Sequence, residues 1–331
     1  MQKILITGAN GYLGAQIGKY LSQNGFSVSG LCFPEIPQNE QWQSGFDKLF
    51  ACDIRDTEKL RQIADNQFDA IVHLVSLDHH QSNGAPDFVT SINVAPTWNL
   101  LDIFSKKGLK KFIYFSTIHV YGKIPNSSHF ERSEKSRVQS RFPASFEITE
   151  NYPVNCANFY ALTHYLSENI CRYYAQNSDV QCVVARLSNS YGEPVFEENN
   201  CWWLVVNDLC KMAFENKKIV LQSDGSPLRD FINGNDVCQA VKMLINNGEN
   251  GKTYHISSGE TFSILEIAEK VQNVYQKLYG ENLPIFKAEN QNINIPKYKI
   301  DNGELQKLGF KPEISLEKGI ENLFGYLSKK L

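Results

Sequence analysis

The sequence predicts an α/β fold, a doubly wound parallel sheet with a smaller mixed α/β lobe at its C-terminal end. Three observations predict it. In the first half of the chain, short apolar runs alternate with segments of helical spacing, which is typical of a parallel sheet covered by helices on both faces. Three evenly spaced glycines follow the first apolar run at once. After about Tyr191 helical segments dominate, which indicates a second lobe that completes a cleft.

The composition is that of an ordinary globular protein, with 331 residues, 42% of them hydrophobic and 21% charged. A formal net charge of −3 gives no electrostatic reason to expect nucleic acid or an anionic membrane as a partner. No uninterrupted apolar stretch is as long as a membrane span, and the chain begins with a strand, so we expect a cytoplasmic protein. The eight cysteines show no zinc-like spacing, so we expect reduced thiols and no bound metal.

The elements of the first half follow from apolar runs and helical spacing. The predicted strands are Lys3–Thr7, Ser27–Cys32, Lys48–Cys52, Ala70–Val75, Lys111–Ser116 and Gln181–Arg186. The predicted helices are Tyr12–Gln23, Thr57–Asn66, roughly Pro86–Lys107 and about Ala157–Ala175. Asp56 is the expected N-cap of the second of these helices.

The second half predicts a mixed lobe. Its helices are Trp203–Glu215, Val237–Asn246, Ile264–Tyr275 and Ser315–Ser328, with short strands near Ile219–Leu221 and Thr253–Ile256. The long polar insert Gly122–Asn158 predicts a mobile surface loop that lies partly over the site.

The glycine turn predicts a phosphate site. Gly8 permits a tight turn, Gly11 lets a pyrophosphate approach the backbone, and Gly14 lets helix and strand pack closely. The phosphate then meets the N–H groups and the dipole of the helix N-terminus. We therefore expect a Rossmann-type NAD(P)-binding domain over residues 1–186, and a substrate-binding lobe over 187–331 that is partly interleaved with it.

The choice between NAD and NADP stays open at this point. An acidic residue at the end of the second strand would bind the adenosine ribose, and an arginine would accept a 2′-phosphate. The segment "SVSGLCF" offers Cys32 and Phe33 instead. We keep both cofactors, with NAD preferred.

Motifs between Lys3 and about Gly259 resemble the extended short-chain dehydrogenases/reductases that act on nucleotide-activated sugars. They are "GANGYLG", "CDIRD", "IVHLVS", "FSTIHVYG", "FYALTHYLSE", "RLSNSYGEP" and "DGSPLRDFINGNDV". The resemblance implies a set of cofactor contacts: Gly8, Asn10, Gly11, Tyr12, Leu13, Gly14, Asp53, Ile54, Leu74, Val75, Ser76, Asn93, Tyr160, His164 and Leu187.

The resemblance also implies the catalytic chemistry. Tyr160 would exchange a proton with a sugar oxygen while nicotinamide takes or gives a hydride, and Thr117 would hydrogen-bond that same oxygen. A phenol with a pKa near 10 needs a neighbouring positive charge to act as a base at neutral pH. The family supplies that charge with a lysine four residues after the tyrosine, where this chain has His164. If His164 inherits the role, it should hydrogen-bond the nicotinamide ribose and should support the phenolate less, unless a carboxylate keeps it protonated.

Two further departures from the family bear on structure and reaction. Pro96 stands where the family often has glycine, and it should kink the helix. The 4,6-dehydratase branch carries an Asp-Glu pair where this chain has Ile118 and His119, so we do not expect dehydration.

Asn189 and Arg229 are the expected contacts to the substrate diphosphate, in addition to Thr117 and Tyr160 at the sugar. The alternative for Arg229 is an ion pair with Asp230. His79 and His80 lie on the loop after the fourth strand, and no third ligand supports a metal there.

A homodimer is expected from the family's four-helix interface, here built from about Pro86–Lys107 and Ala157–Ala175. Leu162, Leu166 and Ile170 lie at helical spacing on the second helix, although burial against its own sheet explains them equally well.

The expected function is NAD(P)-dependent hydride transfer at a ring carbon of a nucleotide-activated hexose. C4 epimerisation, in the synthesis of surface-glycan precursors, is the first hypothesis. A 4-keto nucleotide-sugar reductase is the alternative, and a non-catalytic NAD(P)-binding redox sensor is the second.

Overall fold

The computed structural model describes residues 1–122, 145–289 and 297–329. Its centre is a seven-stranded parallel sheet of order β3-β2-β1-β4-β5-β7-β11. The strands are β1 (Lys3–Thr7), β2 (Ser27–Cys32), β3 (Lys48–Ala51), β4 (Ala70–His73), β5 (Lys111–Thr117), β7 (Gln181–Leu187) and β11 (Thr253–Ile256). The chain winds outward from β1 in both directions, so the predicted doubly wound fold is confirmed.

Helices cover both faces of this sheet. On one face pack α1 (Tyr12–Gln23) and α8 (Gly234–Asn247), through residues such as Ile17 and Val241. The other face is covered by α3 (Thr57–Ala64), α5 (Ala95–Ser105) and α6 (Phe159–Asn177). Asp56 caps α3 as predicted, because its carboxylate accepts a hydrogen bond from the Lys59 N–H at 3.0 Å. The short α2 (Glu40–Gln43) lies before β3.

The single helix predicted over Pro86–Lys107 is wrong in one respect. The segment forms two helices, α4 (Pro86–Asn93) and α5, which meet at Val94 with φ −118° and ψ −59°. Pro96 lies in the first turn of α5, where its missing N–H costs little. In place of the predicted kink, the structure has a break between two separate helices.

A second lobe packs beside the sheet. Its helices are α7 (Val205–Asn216), α9 (Ile264–Tyr279), α10 (Gly303–Gln306) and α11 (Leu316–Ser328). Its strands are β8 (Asn189–Tyr191), β9 (Ile219–Val220), β10 (Leu228–Asn233), β12 (Thr261–Ser263) and β13 (Ile285–Phe286). Three of these strands form a small sheet of order β12-β10-β8. The helices α7, α9 and α11 share one core of buried residues such as Leu209, Val271 and Phe324.

The two lobes exchange elements along the chain. Strand β11 pairs with β7 in the main sheet, with Thr253 opposite Val184, although it follows residue 187. Helix α8 also comes from the later part of the chain and packs on α1. The division at residue 186 therefore cuts through the main sheet, and the two predicted domains stay a prediction.

Part of the predicted surface loop is a strand instead. Residues Ser145–Ile148 form β6, which pairs in parallel with β14 (Lys297–Ile300). Ile148 and Ile300 are fully buried in a shared apolar cluster, and this burial orders the segment. Residues 123–144 of the predicted loop lie outside the described residues. Across the described ranges, no helix has both the length and the apolar character needed to cross a bilayer.

Candidate functional site

The glycine turn joins β1 to α1 at the carboxyl edge of the sheet. Gly8 has a φ of +73°, a conformation that favours glycine. A Cβ on Gly14 would lie 2.0 Å from the Gly8 carbonyl oxygen, so helix and strand pack here at backbone distance. A Cβ on Gly11 would meet, within 4 Å, only the Gly8 carbonyl oxygen at 3.2 Å. A ligand can therefore approach the backbone at Gly11, whereas a side chain at Gly14 would clash with the backbone of the turn.

The first turn of α1 is suited to an anion. Gly11 is its N-cap, and among the described residues no side chain caps it. The first turn also contains no acidic residue. The unpaired N–H groups and the helix dipole attract negative charge. These features fit the pyrophosphate of a dinucleotide, and the predicted Tyr12 and Leu13 begin this same helix.

The other predicted cofactor residues surround this turn. Leu74, Val75 and Ser76 follow β4, and a Cβ on Gly8 would lie 3.3 Å from Val75 Cγ2. Asn10 donates from Nδ2 to the Phe33 carbonyl at 2.9 Å, which joins the turn to the end of β2.

Three predicted contacts lie further along the same edge. Asp53 follows β3, and its carboxylate accepts a hydrogen bond from Arg55 Nε at 2.9 Å. The neighbouring Ile54 is buried. Leu187 pairs with Thr117 across β5 and β7. The parallel strands bring all these residues to one edge of the sheet, and their contacts with a cofactor stay a prediction.

Asn93 holds protein groups together at the end of α4. Its Oδ1 accepts the Leu77 N–H at 2.7 Å, and its Nδ2 donates to Thr163 Oγ1 at 3.0 Å. Its backbone carbonyl accepts the Ser167 hydroxyl at 2.8 Å. These bonds fix the loop after β4 against α6. A direct contact of Asn93 with the cofactor stays a prediction.

Thr117 and Tyr160 meet at the centre of this edge. Thr117 ends β5, and Tyr160 lies in the first turn of α6, whose N-cap Asn158 accepts the Ala161 N–H at 2.8 Å. Burial raises the pKa of Tyr160 to about 12, the hydrogen bond with Thr117 lowers it, and Asp78 raises it further. The phenol is thus a protonated acid at neutral pH, and only an added positive charge would make it an effective base.

His164 is turned into the protein. It lies one helical turn after Tyr160, with the two ring centroids 4.5 Å apart and the rings edge to face. Its Nδ1 shares a hydrogen bond with the Tyr114 hydroxyl at 2.9 Å. Burial lowers the pKa of His164 to about 4, although Glu168 opposes that shift. The imidazole is therefore neutral at physiological pH and provides no charge to the Tyr160 phenol.

Arg229 lies half-buried on β10, and the alternative ion pair with Asp230 is wrong. The Asp230 carboxylate is fully buried and accepts hydrogen bonds from Ser188 at 2.6 Å and from the Gly259 N–H at 2.9 Å. Asn189 donates from Nδ2 to the Asp230 carbonyl at 2.8 Å, so the predicted substrate contacts are on adjacent strands.

Two histidines share electrostatic interactions with Arg229. They are His79, after β4, and His119, after β5. The His119 ring lies edge-on to Tyr160, with centroids 6.0 Å apart. His119 drew attention in the sequence only as the replacement for a dehydratase acid, and the structure places it beside the Tyr160 phenol.

Sequence reasoning did not select Tyr114, Glu168 or Arg186. These buried residues join α6, the helix that carries Tyr160, to the strands of the main sheet. Tyr114 bonds His164, and two residues along the same strand the Ser116 hydroxyl donates to Glu168 Oε1 at 2.6 Å. Alternate residues of β5 thus bind residues four apart on α6. Both spacings are visible in the sequence and are the signal that could have found them.

Comparisons with known proteins agree with this geometry. The profile described as "NAD dependent epimerase/dehydratase family" matches residues 4–257. The chain is 26% identical over 334 residues to the low-salt glycan biosynthesis protein Agl12 of Haloferax volcanii, with 98% of this chain and 97% of that protein covered. It is 23% identical over 352 residues to dTDP-glucose 4,6-dehydratase of Haemophilus influenzae, covering 97% and 96%.

A solved structure of UDP-glucose 4-epimerase with UDP-glucose from Thermotoga maritima superposes with a TM-score of 0.80 at 21% identity, and the match covers 99% of each chain. The likeness in fold extends over both lobes. With the family profile matching residues 4–257, the implied resemblance is confirmed. The chain belongs to the NAD dependent epimerase/dehydratase family, a family of enzymes that use a nicotinamide cofactor.

Proposed function

We propose that this protein epimerises a nucleotide-activated hexose at C4, in the synthesis of a surface-glycan precursor. The observation that carries the proposal is the pairing of Thr117 and Tyr160 at the sheet edge that also holds the glycine turn. A hydroxyl and a phenol that lie side by side can both bind a single sugar oxygen. This arrangement suits oxidation of an alcohol and reduction of the resulting ketone.

The residues of this chain would divide the work as follows. Thr117 and Tyr160 orient the C4 oxygen, and the Tyr160 Oη takes its proton on oxidation and returns it on reduction. A bound oxidised nicotinamide would accept the C4 hydride and would bring a positive charge near the phenol. Because His164 is neutral, that charge is the main means of lowering the raised pKa of Tyr160.

The diphosphate of the substrate would bind at Arg229. Among the described residues this half-buried guanidinium has no hydrogen bond or ion pair, so its planar fork is available for two phosphate oxygens. Asn189 lies on the adjacent strand. An anchored diphosphate would keep the 4-keto sugar in the cleft while its ring rotates, as epimerisation requires.

Two alternatives remain distinct from this proposal. A 4-keto nucleotide-sugar reductase would use the same residues but would consume NADPH or NADH at each turnover. A redox sensor would need neither Thr117 nor Tyr160, and the contact between them weighs against that function. Dehydration is not proposed, because buried Ile118 has no group that transfers a proton.

A panel of nucleotide sugars, incubated with and without NADPH, tests the proposal. We expect conversion of one sugar to its C4 epimer without net change of cofactor. Stoichiometric loss of NADPH with a 4-keto sugar would favour the reductase. Cofactor binding without any turnover across the panel would favour the sensor.

We also propose that the enzyme is a cytoplasmic homodimer. On α6, Leu162 and Leu166 are 40% and 41% exposed, whereas Ile170 packs against the main core. Trp98 on α5 is 54% exposed, and its ring stacks beside the 57% exposed Tyr173. Burial against their own sheet therefore does not account for the two leucines. The same face of a second copy would cover this apolar surface.

A further inference from the structure

The residue at the lysine position of this family has acquired a partner inside the protein. The His164 side chain is only 3% exposed, and its Nδ1 bonds the Tyr114 hydroxyl at 2.9 Å. Its Nε2 is inaccessible to solvent and has no hydrogen-bond partner among the described residues. A ribose hydroxyl outside the protein surface therefore meets neither ring nitrogen.

Tyr114 is itself fixed from several sides. It is 2% exposed on β5, an interior strand of the main sheet, and its ring packs between the rings of His73 at 5.8 Å and His164 at 6.0 Å. Ser167 lies beside the Tyr114 hydroxyl and donates its own proton to the Asn93 carbonyl at 2.8 Å. A buried phenol in the middle of a parallel sheet is a rigid support for the imidazole.

The other face of the imidazole carries the catalytic phenol. The Tyr160 ring lies edge to face with His164 at 4.5 Å, the usual geometry of a favourable aromatic pair. The contacts thus run from β5 through Tyr114 and His164 to Tyr160. A displacement of the His164 imidazole would therefore also displace the Tyr160 ring that packs against it.

We propose that Tyr114 is a positioning residue that acts through His164 on Tyr160, and that His164 is a neutral spacer which does not contact the cofactor. The lysine of the family binds the ribose and lowers the tyrosine pKa, and in this chain the geometry separates the tyrosine from both effects. The proposal rests on the proposed function only in taking Tyr160 as the acid–base group.

The charged and titratable groups around His164 are consistent with a neutral spacer. Glu168, one turn further along α6, is engaged by Arg186 with an Nη2 to Oε2 distance of 2.7 Å. His73 is buried, and burial lowers its pKa to about 3. On the cleft side, burial lowers the pKa of His119 to about 4, and the neighbouring Arg229 and His164 lower it further. Glu168 raises the pKa of His164, but burial outweighs this effect and the imidazole stays neutral.

The first test needs no turnover and no variant. The ring nitrogens of His164 are followed by nuclear magnetic resonance in the full-length protein while NAD is added. We expect backbone signals of the glycine turn to move and the His164 ring nitrogens to keep their shifts. A large change of the Nε2 signal on NAD binding would mean a ribose contact and would overturn the inference.

The second test compares Tyr114→Phe, His164→Gln and their double variant by NAD titration and steady-state kinetics. Loss of alignment should lower kcat by about tenfold in each single variant. The kcat of the double variant should be no lower than that of the less active single variant. The Kd for NAD should stay within about threefold, since no cofactor contact is removed. Additive losses, or a Kd that rises by more than about tenfold in His164→Gln alone, would contradict the proposal.

Tyr254→Phe is the matched control for these variants. Tyr254 is fully buried on β11, its hydroxyl accepts the Glu249 N–H at 3.1 Å, and it packs in a different core cluster from Tyr114. Both Tyr→Phe variants lose a buried hydroxyl, so both lose stability. Only Tyr114→Phe should change the ultraviolet titration of the Tyr160 phenolate, with a lower pKa because a released imidazole can turn and donate to it. An unchanged titration in Tyr114→Phe would show a merely structural role.

If no sugar in the panel is turned over, the proposed function fails while the resonance, affinity and titration measurements still decide this inference. If C4 epimerisation is found and the ring nitrogens respond to NAD, the inference fails alone.

Discussion

Glu168 and Arg186 form a two-pronged ion pair between α6 and β7. Arg186 Nε donates to Oε1 at 2.8 Å, and Nη2 donates to Oε2 at 2.7 Å. Burial alone would raise the pKa of Glu168, but the hydrogen bonds from Arg186 lower it below its usual range. Arg186 also donates to the Tyr121 hydroxyl at 2.6 Å. The pair fixes the helix that carries Tyr160 to the strands beneath it.

Removing one member of this ion pair should strongly lower the free energy of unfolding. Glu168→Gln leaves a buried guanidinium without its charge partner, and we expect a loss of about 3–5 kcal/mol in the free energy of unfolding. Urea denaturation measures it. The control is Glu249→Gln, which breaks an exposed pair with Lys252 and should cost less than about 1 kcal/mol. Equal small losses in both variants would show that Glu168 is not needed as an ion.

Tyr160→Phe should lower turnover by about 10²–10⁴-fold, because the group that transfers the proton is removed. Thr117→Val should lower it less, since the phenol keeps its proton chemistry and loses one orienting hydroxyl. NAD affinity, read by titration calorimetry, should change little in either variant. Intact turnover in Tyr160→Phe would remove this residue from the mechanism.

Two glycines of the same turn should respond differently to valine. Gly11→Val makes one tight contact, 3.2 Å from its Cβ to the Gly8 carbonyl oxygen, which a small shift relieves, so it should fold and lose cofactor binding because the side chain fills the space in front of α1. Gly14→Val places a side chain against the Gly8 carbonyl and should fail to fold stably. Circular dichroism and NAD titration separate the two effects. A Gly11→Val protein with normal affinity for its preferred cofactor would contradict the assigned phosphate site.

Stability should fall as the pH falls from about 6.5 towards 4. Burial lowers the pKa of His164 to about 4 and that of His73 to about 3, so the unfolded chain binds more protons in this window. The stabilisation is complete above the unfolded value and is lost as the pH falls through the folded values. Burial raises the pKa of Asp230 to about 6, and this group acts in the opposite direction.

Urea unfolding at pH 7 and pH 5 measures this dependence. His164→Gln should flatten the slope by up to about 1.4 kcal/mol per pH unit, the effect of one proton. Exposed Gln38 carries no titratable group, and Gln38→Ala is the control that should leave the slope as it is. An equal slope in His164→Gln and wild type would mean that the buried imidazole takes no part.

Leu162→Glu with Leu166→Glu should give monomers in light scattering at micromolar concentration. The two charges would lie in the apolar face of α6 that a second copy is proposed to cover. Phe286→Glu is the control, a change at a 53% exposed residue of the second lobe. A monomeric wild-type protein would end the dimer proposal outright.

Local sequence patterns were sufficient to predict much of this fold. The strands of the main sheet, the glycine turn and the cap at Asp56 each depend on neighbours in sequence, and each was predictable. The strand Ser145–Ile148 was not, because its partner lies about 150 residues away and the pairing buries residues that look like loop. The orientation of His164 depends on a tyrosine of another element, and a motif read along one helix does not contain it.

The edge strand β11 has a consequence for the order in which the chain can fold during synthesis. Strand β7 is complete at Leu187, but its outer neighbour ends at Ile256. A nascent chain released from the ribosome up to residue 186 therefore presents an unpaired parallel edge, which can pair with other chains. Expression of residues 1–186 alone should give aggregates, and stable, soluble protein should first be obtained with chains that extend past β11.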